Sequence, residues 1–194
     1  MKAIFIHIFK TSSTIPQSHN PTIPQSQSSH NPSHPSMKSA SLNELQKELS
    51  TLPPKRVLEI CSRLIKYKKE NKELLTYLLF EADDEEAYKK NIKEEVDEQF
   101  GNMNKSNLYL AKKSLRKILR TINKFIRYSG NKQTEVEIRI YYCSKLKSSG
   151  IEIAKSQVLK NLFENQIKKI ESALSKFHED LQFDYKRELE ELGL

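Results

Sequence analysis

Glycine is scarce in this chain of 194 residues: there are four, and Gly101, Gly130 and Gly150 fall where helices are predicted to end. So few glycines cannot build a phosphate loop or a dinucleotide-binding turn, both of which need the backbone to approach the ligand closely. The Cys-x-x-Cys, His-Glu-x-x-His and Gly-x-Ser-x-Gly patterns are absent as well, and with them the common signatures of redox, metallopeptidase and serine-hydrolase chemistry. The two cysteines, Cys61 and Cys143, lie 82 residues apart, each in phase with apolar neighbours. They read as small buried hydrophobes of a reducing compartment. No run of 18 apolar residues exists, so no membrane span is predicted.

Histidine is equally uninformative beyond residue 36, where only His178 remains. A di-iron bundle would need Glu-x-x-His pairs on two helices, yet position 175 is Ser and no second histidine follows. Asp180, Asp184 and Glu188 beside it read as a solvated acidic stripe. Carboxylate pairs such as Glu94 and Glu98 read as helix surface rather than as general acid and base. These absences predict a non-catalytic, cytoplasmic protein with no cofactor, no metal and no evident small-molecule substrate.

What the chain does have is charge in blocks. Glu81 to Glu98 carries nine acids against three lysines, whereas the 36 residues from Gln99 to Thr134 hold nine lysines and arginines and no acid. The net charge is +8 and the isoelectric point about 9.3, a balance that suits nucleic acid, an anionic surface or an acidic protein as partner. Within the basic block Lys112, Lys113, Arg116, Lys117, Arg120, Lys124 and Arg127 recur every three or four residues. Leu108, Ala111, Leu115, Ile118, Ile122 and Phe125 recur with the same period, half a turn away. At 100° per residue the two sets lie on opposite faces of one helix.

The first 36 residues differ from the rest. A short apolar run from Ala3 to Phe9, interrupted by His7, lacks the length and cleavage site of a secretory signal. Ser, Pro, Gln, Asn and His then dominate to Ser36, with a near-repeat of Thr-Ile-Pro-Gln-Ser starting at Thr14 and Thr22. Such a composition buries too little apolar area to offset chain entropy and predicts disorder. His7, His19, His30 and His34 fall here without cysteine or carboxylate companions, which argues against a metal site. A plainer reading takes Met37 as the initiator, with the preceding residues as upstream sequence.

Residues 37–194 read as one all-α domain. Ser41 and Glu44 have capping-box spacing, Leu52-Pro53-Pro54 separates two helices, and Lys72 to Ala82 is apolar on most sides, as central helices are. A helix follows Asp83-Asp84-Glu85-Glu86 as far as Gly101, and the basic helix runs from about Asn107 to Ser129. Thr134 and Glu137 offer a second capping box. From Leu159 to Leu192 apolar residues recur at three or four, predicting one long, coiled-coil-like terminal helix with room for a kink. Six to seven helices make a bundle or a short stack of helix pairs.

The function that follows is a binding module whose basic helix meets an anionic partner, nucleic acid first, through phosphate contacts without sequence choice. Lys55, Arg56, Arg63, Lys66, Lys68 and Lys69 offer a second strip, and Tyr109 and Tyr128 flank the first. A membrane-surface role is disfavoured, because the core needs the apolar face of the basic helix. The alternative is a protein-binding adaptor, or a homo-oligomer built on the terminal seam. In that reading the cations are merely solvated or paired with Asp180, Asp184, Glu188 and Glu191.

Overall fold

Helix starts predicted from short polar side chains can be checked against their hydrogen bonds in a computed structural model, which describes residues 38–194. The chain divides into two units, the first ending at Glu48 and the second running from Leu49 to Leu194. Residues 1–37, including the expected disordered tail, its histidines and Met37, lie outside the described residues. The described part of the first unit is the start of α1 (Leu42–Thr51). Ser41 and Glu44 form the expected reciprocal cap there: the Ser41 amide donates to the Glu44 carboxylate at 2.7 Å, and the Glu44 amide to the Ser41 hydroxyl at 3.3 Å.

The second unit contains α2 (Pro54–Tyr67), α3 (Lys69–Thr76), α4 (Glu85–Gly101), α5 (Leu108–Ser129), α6 (Lys132–Ser148), α7 (Gln157–Leu174) and α8 (Glu179–Glu191). With α1 this makes eight α-helices and no strand among the described residues, rather than six or seven. The extra helix comes from the predicted terminal one, which is broken at 175–178 without glycine or proline. The Ser175 hydroxyl bonds back to the Ser172 carbonyl at 3.0 Å, and His178 starts a new helix by accepting the Asp180 amide. Glu179 and Asp180 then supply the acidic first turn that a helix N-terminus favours.

A second correction concerns α6. Its cap is Asn131, whose side chain accepts from the amides of Gln133 and Thr134; Thr134 lies inside the first turn, fully buried. Asn is as good a cap as Thr and stands immediately after Gly130, whose φ of +65° closes α5 in the left-handed region.

The third correction moves the centre of the molecule. The segment expected to be central is peripheral: α2 and α3 contain no buried residue, and Leu78, Leu79 and Phe80 are exposed. The helix widens to a π turn at Tyr77–Glu81, and Tyr77 alone enters the core, its ring 4.5 Å from that of Tyr88. Lys68 is extended between α2 and α3, and Asn71 closes that corner by donating to the Leu64 carbonyl at 2.8 Å.

The central helix is α6, which packs against α4, α5 and α7. Val136, Ile138, Ile140, Tyr142, Cys143 and Leu146 are all buried, so its apolar positions face every direction. On one side lies the antiparallel hairpin of α4 and α5, built from Tyr88, Ile92, Val96 and Phe100 against Ala111, Leu115, Ile118 and Ile122. The Tyr88 hydroxyl donates to the Phe125 carbonyl at 3.2 Å across its open end. On the other side α7 contributes Leu159, Ile170, Ala173 and Leu174, and α8 adds Tyr185 and Leu189. The terminal seam thus closes this chain's own core. Truncating one of these side chains, such as Leu115, removes about 2–5 kcal/mol of stability.

Of the charges on α6, Arg139 is buried and Glu135 and Glu137 are half-buried, and all three are paired. Lys89 of α4 donates to the Glu137 carboxylate at 2.8 Å and pairs with Glu86 at 2.6 Å. Arg139 holds Glu135 at 2.9 Å and donates to the side-chain carboxamide oxygen of Gln166 on α7 at 2.7 Å. The Glu85 carboxylate accepts hydroxyl bonds from Ser129, Thr134 and Tyr77. Burial alone would raise its pKa, but these three donors outweigh it and hold the carboxyl below the ordinary range.

Candidate nucleic-acid interface

Asn107 sets the start of α5, its side chain accepting from the amides of Tyr109 and Leu110 at 2.9 and 3.1 Å. The helix spans 22 residues, roughly 33 Å at 1.5 Å per residue. Ala111, Leu115, Ile118, Leu119, Ile122 and Ile126 face the core, which turns the cationic positions outward. Lys113, Arg116, Lys117, Arg120 and Arg127 are exposed, while Lys112 and Lys124 are half-buried. Of the seven, only Lys124 forms an ion pair among the described residues.

The two edges of this stripe differ. On the α4 side, Lys124 reaches the Glu73 carboxylate of α3 at 2.7 Å and lies 4.9 Å above the Phe125 ring. Tyr128 donates to the same carboxylate at 3.0 Å. The hydrogen bond from Lys124, with that of Tyr128, holds the Glu73 carboxyl below its usual pKa despite partial burial. Lys117 opens onto a hollow that also contains Glu95 and Glu98. This edge is flanked by acid.

On the other edge no such neutralisation occurs. Arg116, Leu119 and Asn123 form one wall of a groove whose floor is α6, at Glu135 and Arg139, and whose opposite wall is α7. That wall carries Lys168 and Lys169 together with Asn161 and Asn165. The volume of the groove is about 970 Å³. Its one carboxylate, Glu135, is engaged by Arg139 and, at 2.8 Å, by Lys132. Burial raises the Glu135 pKa, and the two cations outweigh that and lower it. At the start of the helix Tyr109 is 74% exposed and shares a shallow hollow with Lys112, Lys113, Arg116 and Arg120. At its end Arg127 and Tyr128 share another with Lys68 and Lys69, so part of the second cationic strip adjoins the first. Within that strip Arg56 is paired with Glu59 at 2.9 Å, and Lys69 with Glu73 at 3.5 Å.

The acids of α8 do not cover the stripe. Among the described residues Asp180, Asp184, Glu188 and Glu191 form no ion pair with it; Asp180 lies 3.2 Å from His178 and Glu191 3.7 Å from Arg187. Tyr185 donates to Glu137 at 3.1 Å, which ties α8 to α6 instead. Burial and the Glu137 charge raise the Glu188 pKa on this face. Sequence reasoning missed Lys168 and Lys169 as part of the cationic surface. The buried Ile170 and half-buried Ile167 place them on the polar side of α7, but nothing local says that α7 stands opposite α5.

Both cysteines are free, Cys143 buried and Cys61 only half-buried on α2. Burial pushes the Cys143 thiol up to about 12, a value at which almost no thiolate exists near neutrality. No group of three His, Cys, Asp or Glu side chains among the described residues is placed to hold a metal ion. No helix among them is long and apolar enough to cross a membrane. No family model, curated protein or solved structure matches the chain.

Proposed function

We propose that this chain is a non-catalytic helical module that binds nucleic acid through its phosphates, with α5 as the contact surface. The observation that carries this reading is the run of Lys113, Arg116, Lys117, Arg120 and Arg127, all exposed and none ion-paired among the described residues. Exposed cations along one helix can release condensed counterions from a polyanion, and that release supplies affinity without base readout. In this reading Lys113, Arg116, Lys117, Arg120 and Arg127 meet the phosphates, Lys112 extends the track, and Lys124 stays with Glu73.

The test is fluorescence anisotropy of the full chain with a labelled duplex across a salt series. Log affinity should fall against log salt with a slope of about −4, close to the value for four or five phosphate contacts. A dissociation constant that hardly moves between low and moderate salt would falsify the phosphate reading.

A second reading, a protein-binding adaptor, is favoured by a different face. Leu58, Leu64, Leu78, Leu79 and Phe80 are exposed on and just beyond the α2–α3 pair, where an apolar hollow lies between Cys61, Ile65, Leu74 and Leu75. Contiguous apolar surface of that kind suits a protein partner. An adaptor using it would bind without steep salt dependence and would be insensitive to changes in α5.

A further inference from the structure

We infer that the groove between α5 and α7 takes the bases of a single-stranded nucleic acid, a step that rests on the phosphate-binding reading and names the form of the ligand. The argument starts from what lines it. Phosphate-sized charge is met on both rims, by Arg116 on α5 and by Lys168 and Lys169 on α7. Between them the walls carry the carboxamides of Asn123 and Asn165, neither of which has a hydrogen-bond partner among the described residues. A carboxamide offers a donor and an acceptor side by side, the pattern that pairs with the edge of a base. Leu119, Val158 and Leu162 supply apolar surface for the base faces, and Tyr109, in the neighbouring hollow that shares Arg116 and Leu119 with the groove, supplies an exposed ring for stacking. The sole carboxylate in the groove, Glu135, is held by Lys132 and Arg139, so a strand entering it meets no free negative charge.

Width decides between one strand and two. Packed helices lie about 8–10 Å apart, so α5 and α7, each packed against α6, have axes no more than about 20 Å apart. Subtracting the roughly 10 Å that one helix diameter occupies leaves an opening of at most about 10 Å. A duplex is wider than its own major groove of about 12 Å and cannot enter. A single strand can, with its bases turned inward and its backbone along the cationic rims. Duplex would be confined to the outer face of α5, where only the phosphate contacts are available.

The experiment compares a short labelled strand of mixed sequence, as DNA and as RNA, with the corresponding DNA duplex. Each is titrated against the full chain and against Asn123→Leu/Asn165→Leu, Lys169→Gln and Arg116→Gln/Arg120→Gln. The strand should bind at least about tenfold more tightly than the duplex, the contribution expected of one stacked and hydrogen-bonded base. The double Asn variant, which keeps side-chain size, should remove that preference while leaving duplex affinity unchanged. Lys169→Gln should reduce the salt slope on the strand by about 0.7 and leave the duplex slope alone. Equal affinity for strand and duplex overturns the groove assignment and leaves the phosphate surface standing. A strand preference that survives the Asn changes overturns the assignment too, because the bases then lie elsewhere. No binding of any probe at low salt overturns both readings together. The DNA and RNA arms separate the two chemical sources of a strand, and a preference for RNA would assign a further contact to the 2′-hydroxyl.

Discussion

The helix richest in uninterrupted apolar residues and a helix interrupted by charge have exchanged the places their compositions suggest. The segment from α3 into its π turn reads Leu-Leu-Thr-Tyr-Leu-Leu-Phe, yet Leu78, Leu79 and Phe80 are 54, 62 and 79% exposed. By contrast α6 carries Glu135, Glu137 and Arg139 among its apolar residues and is the most deeply packed element of the second unit. The difference lies in what surrounds each. Helix α3 packs on α2 and only Tyr77, in the π turn that follows it, enters the core, whereas α6 is enclosed by α4, α5 and α7, of which α4 and α7 return partners for its charges. Burial of a charged helix is tolerated when every ion is paired and bonded. Apolar composition alone guarantees no neighbour to bury against.

The largest expected effect breaks that contrast at its charged end. Arg139→Met removes the buried partner of Glu135 and leaves the Gln166 carboxamide oxygen unmet, at a cost of about 3 kcal/mol. Phe80→Ala, from the apolar segment, should stay within about 0.5 kcal/mol of the parent. Urea unfolding of the two variants gives the comparison directly. A large loss at Phe80 would mean that this surface is covered in solution.

The same contrast explains what could be read from sequence. Helix existence was legible wherever apolar period and polar cap agreed: Ser41 with Glu44 for α1, Asn107 and Gly130 for α5, and Pro53-Pro54 between α1 and α2. The break between α7 and α8 was not, because Ser175 and His178 stop one helix and start the next with side-chain bonds alone, and neither residue breaks a helix by itself. Thr134 matched a capping pattern but lost to Asn131, three residues closer to Gly130. The cationic face of α5 followed from period alone. Its division into an acid-flanked edge and one whose single carboxylate is already paired depends on Glu73 and on Lys168 and Lys169, which lie 35 or more residues from either end of α5. No local pattern carries that information.

Within α5 the two edges allow a finer comparison. Arg116→Gln/Arg120→Gln should lower the magnitude of the salt slope on duplex by about 2, whereas Lys117→Gln/Lys124→Gln should lower it by about 1 or less. Equal losses would show that the acids flanking the second pair do not withhold it. Stability should hardly differ between the two double variants, since most of these side chains are solvated.

Acid provides a third contrast, between paired carboxylates and the exposed remainder. Glu85 and Glu135 both have folded pKa values below their unfolded ones. Each therefore contributes stability that is complete above the unfolded value, about 4.3, and is lost as pH falls through the lowered folded value. The thermal midpoint should drop steeply below about pH 4.5. Glu85→Gln keeps an acceptor for the three hydroxyls but removes the titration, so its midpoint should begin lower and fall less. An identical pH profile in the variant would remove Glu85 as a source of acid sensitivity.

The smallest effect concerns the one salt bridge that reaches the stripe. Glu73→Gln deletes the charge facing Lys124 while leaving Tyr128 an oxygen to bond. The pair is partly solvated, with a quarter of each side chain exposed, so the stability loss should be below about 1 kcal/mol. Binding should move the other way. A released Lys124, no longer opposed, adds one phosphate contact at the α4 edge, and duplex affinity at low salt should rise by about twofold, or roughly 0.4 kcal/mol. Acid should produce the same gain in the parent chain as Glu73 protonates through its lowered pKa, and none in the variant. If affinity stays flat in both, Lys124 lies outside the contact surface even when free, and the phosphate track keeps only the other cations of the stripe, Lys112, Lys113, Arg116, Lys117, Arg120 and Arg127.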